Sequence, residues 1–254
     1  MHRKTVMVLL LLASIFWQTR LQAGLVLSSS GTMRFEWVNL KDSGGNSLAS
    51  LPVGVTATAD AASFGWADAI ADQGSASGSF NYYRNGVLVS PGFWPQSPFG
   101  IGDVFETDLQ ADGTIDSVGV IDIFNTTWST LYINNTTPDT FTAEFSVDYS
   151  FANSFQGKLN TTIWSDVVNY LGITVNYDYG NSTDDFEDFL LSPGVDSGSR
   201  SLSLVVPVAA GWTVVDVIRR NSIYVEAVPE PSTGVLYLVG LSLWTARRRR
   251  VARS

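Results

Sequence analysis

The sequence predicts an all-β fold, a single antiparallel β-sandwich with a jelly-roll-like arrangement as the favoured variant. Three observations carry this. Strand-like stretches recur at turn intervals of about ten residues. The clearest of them, Phe141 to Phe151, alternates strictly between apolar and polar side chains. Between the two ends of the chain, no segment shows the 3.6-residue apolar period of an amphipathic helix.

Taken in order, the first patterned stretch is Thr32 to Leu40, where Phe35 and Trp37 alternate with Arg34 and Glu36, the mark of a half-buried strand. Residues 41–46 (Lys-Asp-Ser-Gly-Gly-Asn) are turn formers. An extended pattern resumes from Pro52 to Ala59. The stretch from Ala61 to Gly78 is rich in small residues, with one helical turn expected over Ala67 to Ala71. Ser79 to Ser90 reads as a hairpin, because Phe80, Tyr82 and Tyr83 run into Asn85-Gly86, the preferred pair for a type I′ turn. Pro91, Pro95 and Pro98 then punctuate an aromatic loop and exclude a central strand there.

Short strands are expected at Val118 to Phe124 and Thr130 to Asn134, parted by Asn125-Thr126-Thr127 read as a turn. In Phe141 to Phe151, Phe141, Ala143, Phe145, Val147, Tyr149 and Phe151 share one face, and Thr142, Glu144, Ser146, Asp148 and Ser150 the other. Further strand candidates are Lys158 to Trp164, Ile173 to Tyr179, Leu202 to Val208, Gly211 to Ile218 and Ser222 to Ala227.

The segment from Gly24 to Ala227 is long enough to bury one good core. It contains no cysteine, so its stability rests on packing rather than disulfides. Lys and Arg are concentrated near the two ends of the chain and carboxylates between them, which makes the central domain acidic. Nucleic acid is excluded as a partner, since phosphate binding needs clustered Lys and Arg.

At the N-terminal end, Arg3 and Lys4 precede an apolar run from Val6 to Trp17, and Leu21-Gln22-Ala23 offers a small residue for signal-peptidase cleavage. Residues 1–23 are therefore expected to be a signal peptide. At the other end, residues 228–254 hold Pro229, Glu230 and Pro231, an apolar run from Gly234 to Ala246, and Arg247, Arg248, Arg249 and Arg250. The prolines keep the motif extended, the apolar run suits a short membrane helix, and the arginines favour the cytoplasmic side. About 13 apolar residues give a helix of roughly 20 Å.

This three-part order resembles the PEP-CTERM sorting signal of Gram-negative bacteria. The resemblance implies transient residence in the inner membrane and recognition of Pro229, Glu230 and Pro231 by an exosortase-type processing enzyme. Removal of the tail and association of the mature protein with exopolysaccharide would follow.

The sequence narrows the chemistry sharply. Its only histidine, His2, lies in the expected leader, which removes Ser-His-Asp triads and histidine metal ligands from the mature domain. The two lysines of the mature domain, Lys41 and Lys158, lie in hydrophilic stretches. Paired-carboxylate glycosidase chemistry is the one common mechanism left open.

Asp108 to Asp116 resembles the opening of an EF-hand-type calcium loop. Asp108, Gln110 and Asp112 would supply side-chain oxygens and Thr114 a carbonyl, with Gly113 at the sharp turn. Gln110 at the third position and Gly119 at the twelfth depart from that pattern, and the competing reading is an acidic turn between strands. Asp184, Asp185, Glu187 and Asp188 read as a solvated loop or helix edge, or as a second place for calcium. Phe93, Trp94 and Phe99 are candidates for stacking on sugar rings, against the alternative that they seal the core. Trp37, Trp128, Trp164 and Trp212 fall in strand-like stretches and are expected to fill the core or seal its ends.

The resulting expectation is an exported, non-enzymatic cell-surface or matrix protein associated with exopolysaccharide. The alternatives are a carbohydrate-binding adhesin module and a carboxylate-dependent glycosidase.

Overall fold

A computed structural model describes residues 24–71, 74–89, 93–116, 119–157, 161–177, 180–190 and 194–229. The expected signal peptide (residues 1–23) and the tail from Glu230 on, with Pro231, the expected short membrane helix and Arg247 to Arg250, lie outside the described residues.

The described chain is an antiparallel β-sandwich of two six-stranded sheets. The strands are β1 (Leu25–Lys41), β2 (Val55–Ala71), β3 (Gly74–Arg84), β4 (Val87–Val89), β5 (Phe93–Pro98), β6 (Val104–Ile115), β7 (Gly119–Asn135), β8 (Phe141–Gly157), β9 (Thr161–Tyr177), β10 (Gly180–Leu190), β11 (Gly194–Val208) and β12 (Gly211–Pro229). The first sheet runs β11-β8-β1-β6-β3-β4 and the second β10-β9-β12-β7-β2-β5. Apart from the hairpins β3–β4 and β9–β10, each strand is followed by one in the opposite sheet.

The strand pairing is duplicated. In the first half β1 pairs β6, β2 pairs β5, and β3 pairs both β4 and β6. In the second half β7 pairs β12, β8 pairs β11, and β9 pairs both β10 and β12. The ladders joining the halves, β1 with β8 and β2 with β7, exchange under the same operation, even to their ends: Leu25 opposes Gly157 as Gly119 opposes Ala71. The sandwich is thus a pseudo-twofold pair of six-strand units.

Period-two alternation builds the core. All six apolar residues predicted on one face of Phe141 to Phe151 are buried. Phe145 packs against Phe35 and Trp37, with ring centroids 5.0 and 5.4 Å apart. The Asn85-Gly86 turn forms as read, with φ of 49° and 75°.

Several strands are longer than the sequence suggested. Asn125, Thr126 and Thr127 do not turn the chain; they sit mid-strand in β7 and are buried. Ala67 to Ala71 is strand, not helix. The Asp184 to Asp188 stretch lies in β10, though its side chains fall outside what is described. β12 carries the domain's last strand to Pro229, two residues past the expected boundary.

The interior is not uniformly apolar. One cluster, around Phe35, Trp37 and Phe145, fills one end, and a second, around Leu27, Ile123 and Phe155, fills the other. Between them lies a buried polar layer made of Ser29, Asn125, Asn153, Asn169, Arg219 and Asn221. Arg219, with no exposed surface, donates to Asn169 Oδ1 at 2.8 Å and to the carbonyls of Arg220 and Tyr170 at 2.8 and 3.0 Å. Its guanidinium also lies 4.5 Å from the Tyr149 ring centroid. Asn169 Nδ2 donates to Ser29 Oγ at 2.9 Å, and Asn221 Nδ2 to the Ser29 carbonyl at 3.0 Å. Gly31 makes room for this layer, because a Cβ there would fall 1.8 Å from Arg219 Nη2.

Arg219→Met keeps the volume but strands these acceptors, so it is expected to destabilise the domain by about 3–5 kcal/mol. Gly31→Ala should lower the melting temperature in the same direction by displacing the guanidinium. Thermal melts check both, and wild-type stability in Arg219→Met would mean that the polar layer does not hold the sandwich.

Candidate functional site

The outer face of the second sheet carries aromatic rings where a solvated sheet face is expected to be polar. Successive cross-strand rows define it. One row runs Phe64, Thr126, Arg220, Tyr170 across β2, β7, β12 and β9; the next runs Trp66, Phe124, Ser222, Val168. On the other side of the first row, Ala62 pairs with Trp128.

Trp66 and Phe124 stack with centroids 4.6 Å apart and planes 17° from parallel, and Phe64 meets Trp66 edge-on at 5.5 Å. The Arg220 guanidinium lies 5.0 Å from the Tyr170 ring centroid. Phe64 is 53% exposed, and Trp66 and Trp128 are each 40% exposed. Three large rings on one sheet face therefore remain wet.

This face is firmly backed. Tyr82, on β3 of the other sheet, reaches through the interior so that its hydroxyl lies 2.8 Å from the Ala62 carbonyl and 2.6 Å from that of Trp128. Burial pushes its phenol well above the ordinary range. The β2–β7 ladder beside the rings is thereby tied to the opposite sheet.

Polar groups flank the rings at one end. Thr130 donates to Asp216 Oδ1 at 2.8 Å and Asn176 to Asp216 Oδ2 at 3.0 Å, with Asp60 in the same row. Burial, reinforced by the Asp216 charge, raises the Asp60 pKa despite a hydrogen bond from Tyr132. Burial and then these same two carboxylates raise that of Tyr132. At the opposite end Asp68 and Asp122 face each other across β2 and β7.

The residues singled out from sequence fall elsewhere. Asp108, Gln110, Asp112 and Thr114 occupy alternate outward positions of β6, an extended strand and not a loop. Alternate residues on a strand are about 6.6 Å apart, so these four run in a line and do not converge on one cation. Gln110 Nε2 donates instead to Asp112 Oδ2 at 2.7 Å, and Gly113 faces inward toward Ile121. Among the described residues no three His, Cys, Asp or Glu are grouped to hold a metal ion.

Phe93 and Trp94 lie in the edge strand β5, with side chains outside what is described. Phe99 is 2% exposed, packed 5.7 Å from Phe105, and so belongs to the core and not to a sugar platform. Trp37 is core as expected, whereas Trp128 and Trp212 are exposed. Trp164 lies in β9, its side chain likewise outside what is described. The overlooked signal is the inverted alternation of β2, in which Ala57, Ala59 and Ala61 face inward and Phe64 and Trp66 outward.

No family model matches the chain, and no curated protein matches it. Among solved structures it is similar to a β-glucuronidase of glycoside hydrolase family 2, at 12% identity over 74% of this chain and 22% of that one, with a TM-score of 0.15. A putative β-galactosidase from Bacteroides fragilis gives 11% identity over 70% and 27%, with a TM-score of 0.14. A family 2 glycosyl hydrolase from Bacteroides cellulosilyticus gives 11% over 73% and 24%, with a TM-score of 0.13. The chain spans about a quarter of the length of each, and likeness at this level constrains neither fold nor activity.

The raised Asp60 pKa has a pH consequence. A carboxyl whose folded pKa exceeds its unfolded value contributes fully below the unfolded pKa of about 3.9, and that contribution is lost as pH rises through the folded value. Asp60→Asn keeps an acceptor for Tyr132 and removes the charge. Its melting temperature should match wild type near pH 3 and exceed it at pH 7. A variant no more stable than wild type at pH 7 would refute the assignment.

Proposed function

We propose that this chain is an exported, non-enzymatic surface or matrix protein whose sandwich holds neutral polysaccharide on the aromatic face of its second sheet. The exposed Phe64, Trp66 and Trp128 rings, with Phe124 stacked on Trp66, carry this reading. A sugar ring has an apolar C–H face and a rim of hydroxyls. Aromatic rings match the former, and the Asp60, Thr130, Asp216 and Asn176 group supplies partners for the latter.

Charge favours a neutral polymer. Residues 24–227 hold twenty-three Asp and Glu against seven Lys and Arg, so a uronate-rich chain meets repulsion. Routing rests on the C-terminal motif: an exosortase-type enzyme would recognise Pro229, Glu230 and Pro231 while the apolar run and Arg247 to Arg250 hold the tail in the inner membrane.

Two experiments test these parts separately. In gels containing mixed-linkage β-glucan, xylan, galactomannan or alginate, the purified domain should be retarded by at least one neutral polymer and not by alginate. Phe64→Ala combined with Trp66→Ala should weaken that retardation. Absence of retardation by every polymer overturns the reading, and self-association of the wild type abolished by the same pair would reassign the face to a second copy of the chain.

For routing, changing Pro229, Glu230 and Pro231 to alanine should leave full-length protein in the inner-membrane fraction. Release equal to wild type, judged by fractionation and blotting, would sink that part.

A further inference from the structure

The pseudo-twofold relation gives every outward position of the second sheet a counterpart on the first. Aligned by the equivalent registers, the row Phe64, Thr126, Arg220, Tyr170 corresponds to Ser150, Thr32, Asp108, Asn81. The adjacent row Trp66, Phe124, Ser222, Val168 corresponds to Ala152, Ser30, Gln110, Ser79. Where one sheet carries the rings of Phe64, Trp66, Phe124 and Tyr170, its twin carries Ser150, Ala152, Ser30 and Asn81. The consequence is a hollow of about 350 Å³, and all eight of these residues of the first sheet line it.

The hollow continues, sharing Thr32, Asp108 and Ser150, into a second of about 630 Å³ that extends past Tyr83 to Asp148 and Ser201. Together they cross β3, β6, β1, β8 and β11. Five strands at about 4.8 Å spacing give a trough some 19 Å across the sheet, the scale of a short oligosaccharide.

The lining suits a polyhydroxylated chain. Thr32 and Ser150 hydroxyls meet at 2.7 Å, Ser201 donates to Asp148 at 2.6 Å, and Asn81 stands opposite Asp108. Tyr83 adds an aromatic ring whose phenol is pushed up by burial and by the Asp108 charge beside it. Two cations, Arg34 and Arg200, and three carboxylates, Glu106, Asp108 and Asp148, line the trough, and Arg34 is paired to Glu36 and lies 3.3 Å from Glu106, so the balance of charge along it is negative and disfavours a polyanion. Hydroxyls, amides and the carboxylates of Glu106, Asp108 and Asp148 beside the Tyr83 ring make a hydrogen-bonding groove, the polar complement of the aromatic face.

We propose that this trough is a second site for neutral polysaccharide, and that the domain is bivalent, holding one polymer chain on each sheet and bridging the two. This rests on the carbohydrate reading of the aromatic face. The sites point in opposite directions, with sheets about 10 Å apart between them, so two chains can bind together without collision.

The test uses the neutral polymer that retards the wild type in the gel panel. Protein bound to an immobilised layer of that polymer is asked to capture a fluorescent soluble sample of the same polymer. Wild type, shown to be monomeric by sedimentation, should capture it. Asn81→Ala with Asp108→Ala in the trough, and Phe64→Ala with Trp66→Ala on the aromatic face, should each still be retarded in the gel but lose capture. All four substitutions together should abolish retardation, with melts confirming that each variant is folded.

Full capture by the trough variant overturns the second site while leaving the aromatic face intact. Complete loss of retardation in the aromatic-face variant alone does the same. Unchanged retardation in both two-residue variants removes the carbohydrate reading itself. Capture that survives in the trough variant of a dimeric wild type assigns bridging to the dimer, and overturns the proposal.

Discussion

A guanidinium buried to zero exposure in the middle of a β-sandwich dictates much of what surrounds it. Backbone carbonyls and the Asn169 amide accept from Arg219, and its guanidinium lies over the Tyr149 ring. A buried charge held this way is tolerable only if its acceptors are in place, and those acceptors lie on three strands, β8, β9 and β12. Asn169 and Asn221 extend the network from β9 and β12 to Ser29 on β1, and Asn153 joins it from β8. Because Asn169 bonds Ser29 and Asn153, and Asn221 bonds Ser29, from one sheet to the other, the layer specifies how the sheets align. Apolar packing alone, being non-directional, would not. A one-residue slip in β1, β8, β9 or β12 would turn its member of the network outward.

The second half of the fold solves the same problem with different atoms. Asn125 occupies on β7 the place that Gly31 occupies on β1, and its amide donates to the Gln110 carbonyl at 2.9 Å and to Asn221 Oδ1 at 3.1 Å. Room comes from glycines again: a Cβ on Gly65 or Gly78 would fall within 2.7 Å of the Asn125 side chain. Symmetry of backbone has been kept while symmetry of side chains has been lost. The edges diverge as well, since β4 and β5 have three and six residues where β10 and β11 have eleven and fifteen. Pro95 and Pro98 in β5 leave that edge a poor template for further strand pairing.

This waist also explains which parts of the structure the sequence conveyed. Phe141 to Phe151 was legible because its inward residues are all apolar, and the β3–β4 hairpin because Asn85-Gly86 takes positive φ. Asn125-Thr126-Thr127 was misread because polar residues at strand centre look like a turn unless one knows that a polar layer awaits them. Asp108 to Asp116 was misread for a related reason: Asp, Gln and Thr at alternate positions are the wet face of β6, and Asp112-Gly113 imitates a turn. The aromatic face left a signal in the inward alanines and outward rings of β2, but reading it requires the strand's orientation, which the sequence alone does not provide. The duplication was invisible, since the aligned strands β1 and β7 share little beyond Val26 with Val120 and Thr32 with Thr126.

The differences between the twin faces follow from the geometry that hides them from the core. In a strand, outward and inward side chains are separate populations, so Phe64 on one sheet can stand where Ser150 stands on the other without altering a single buried contact. The cost of changing a surface position is small unless it touches a cap, a buried charge or the core. The eight trough positions meet that condition on their outward side. Behind them, Gly31, Leu109 and Phe151 carry the packing and the waist. A duplicated sandwich with a demanding interior and two permissive exteriors can therefore carry two unlike surfaces on one rigid frame. Tyr82, lying across the interior to the Ala62 and Trp128 carbonyls, fixes the distance between them.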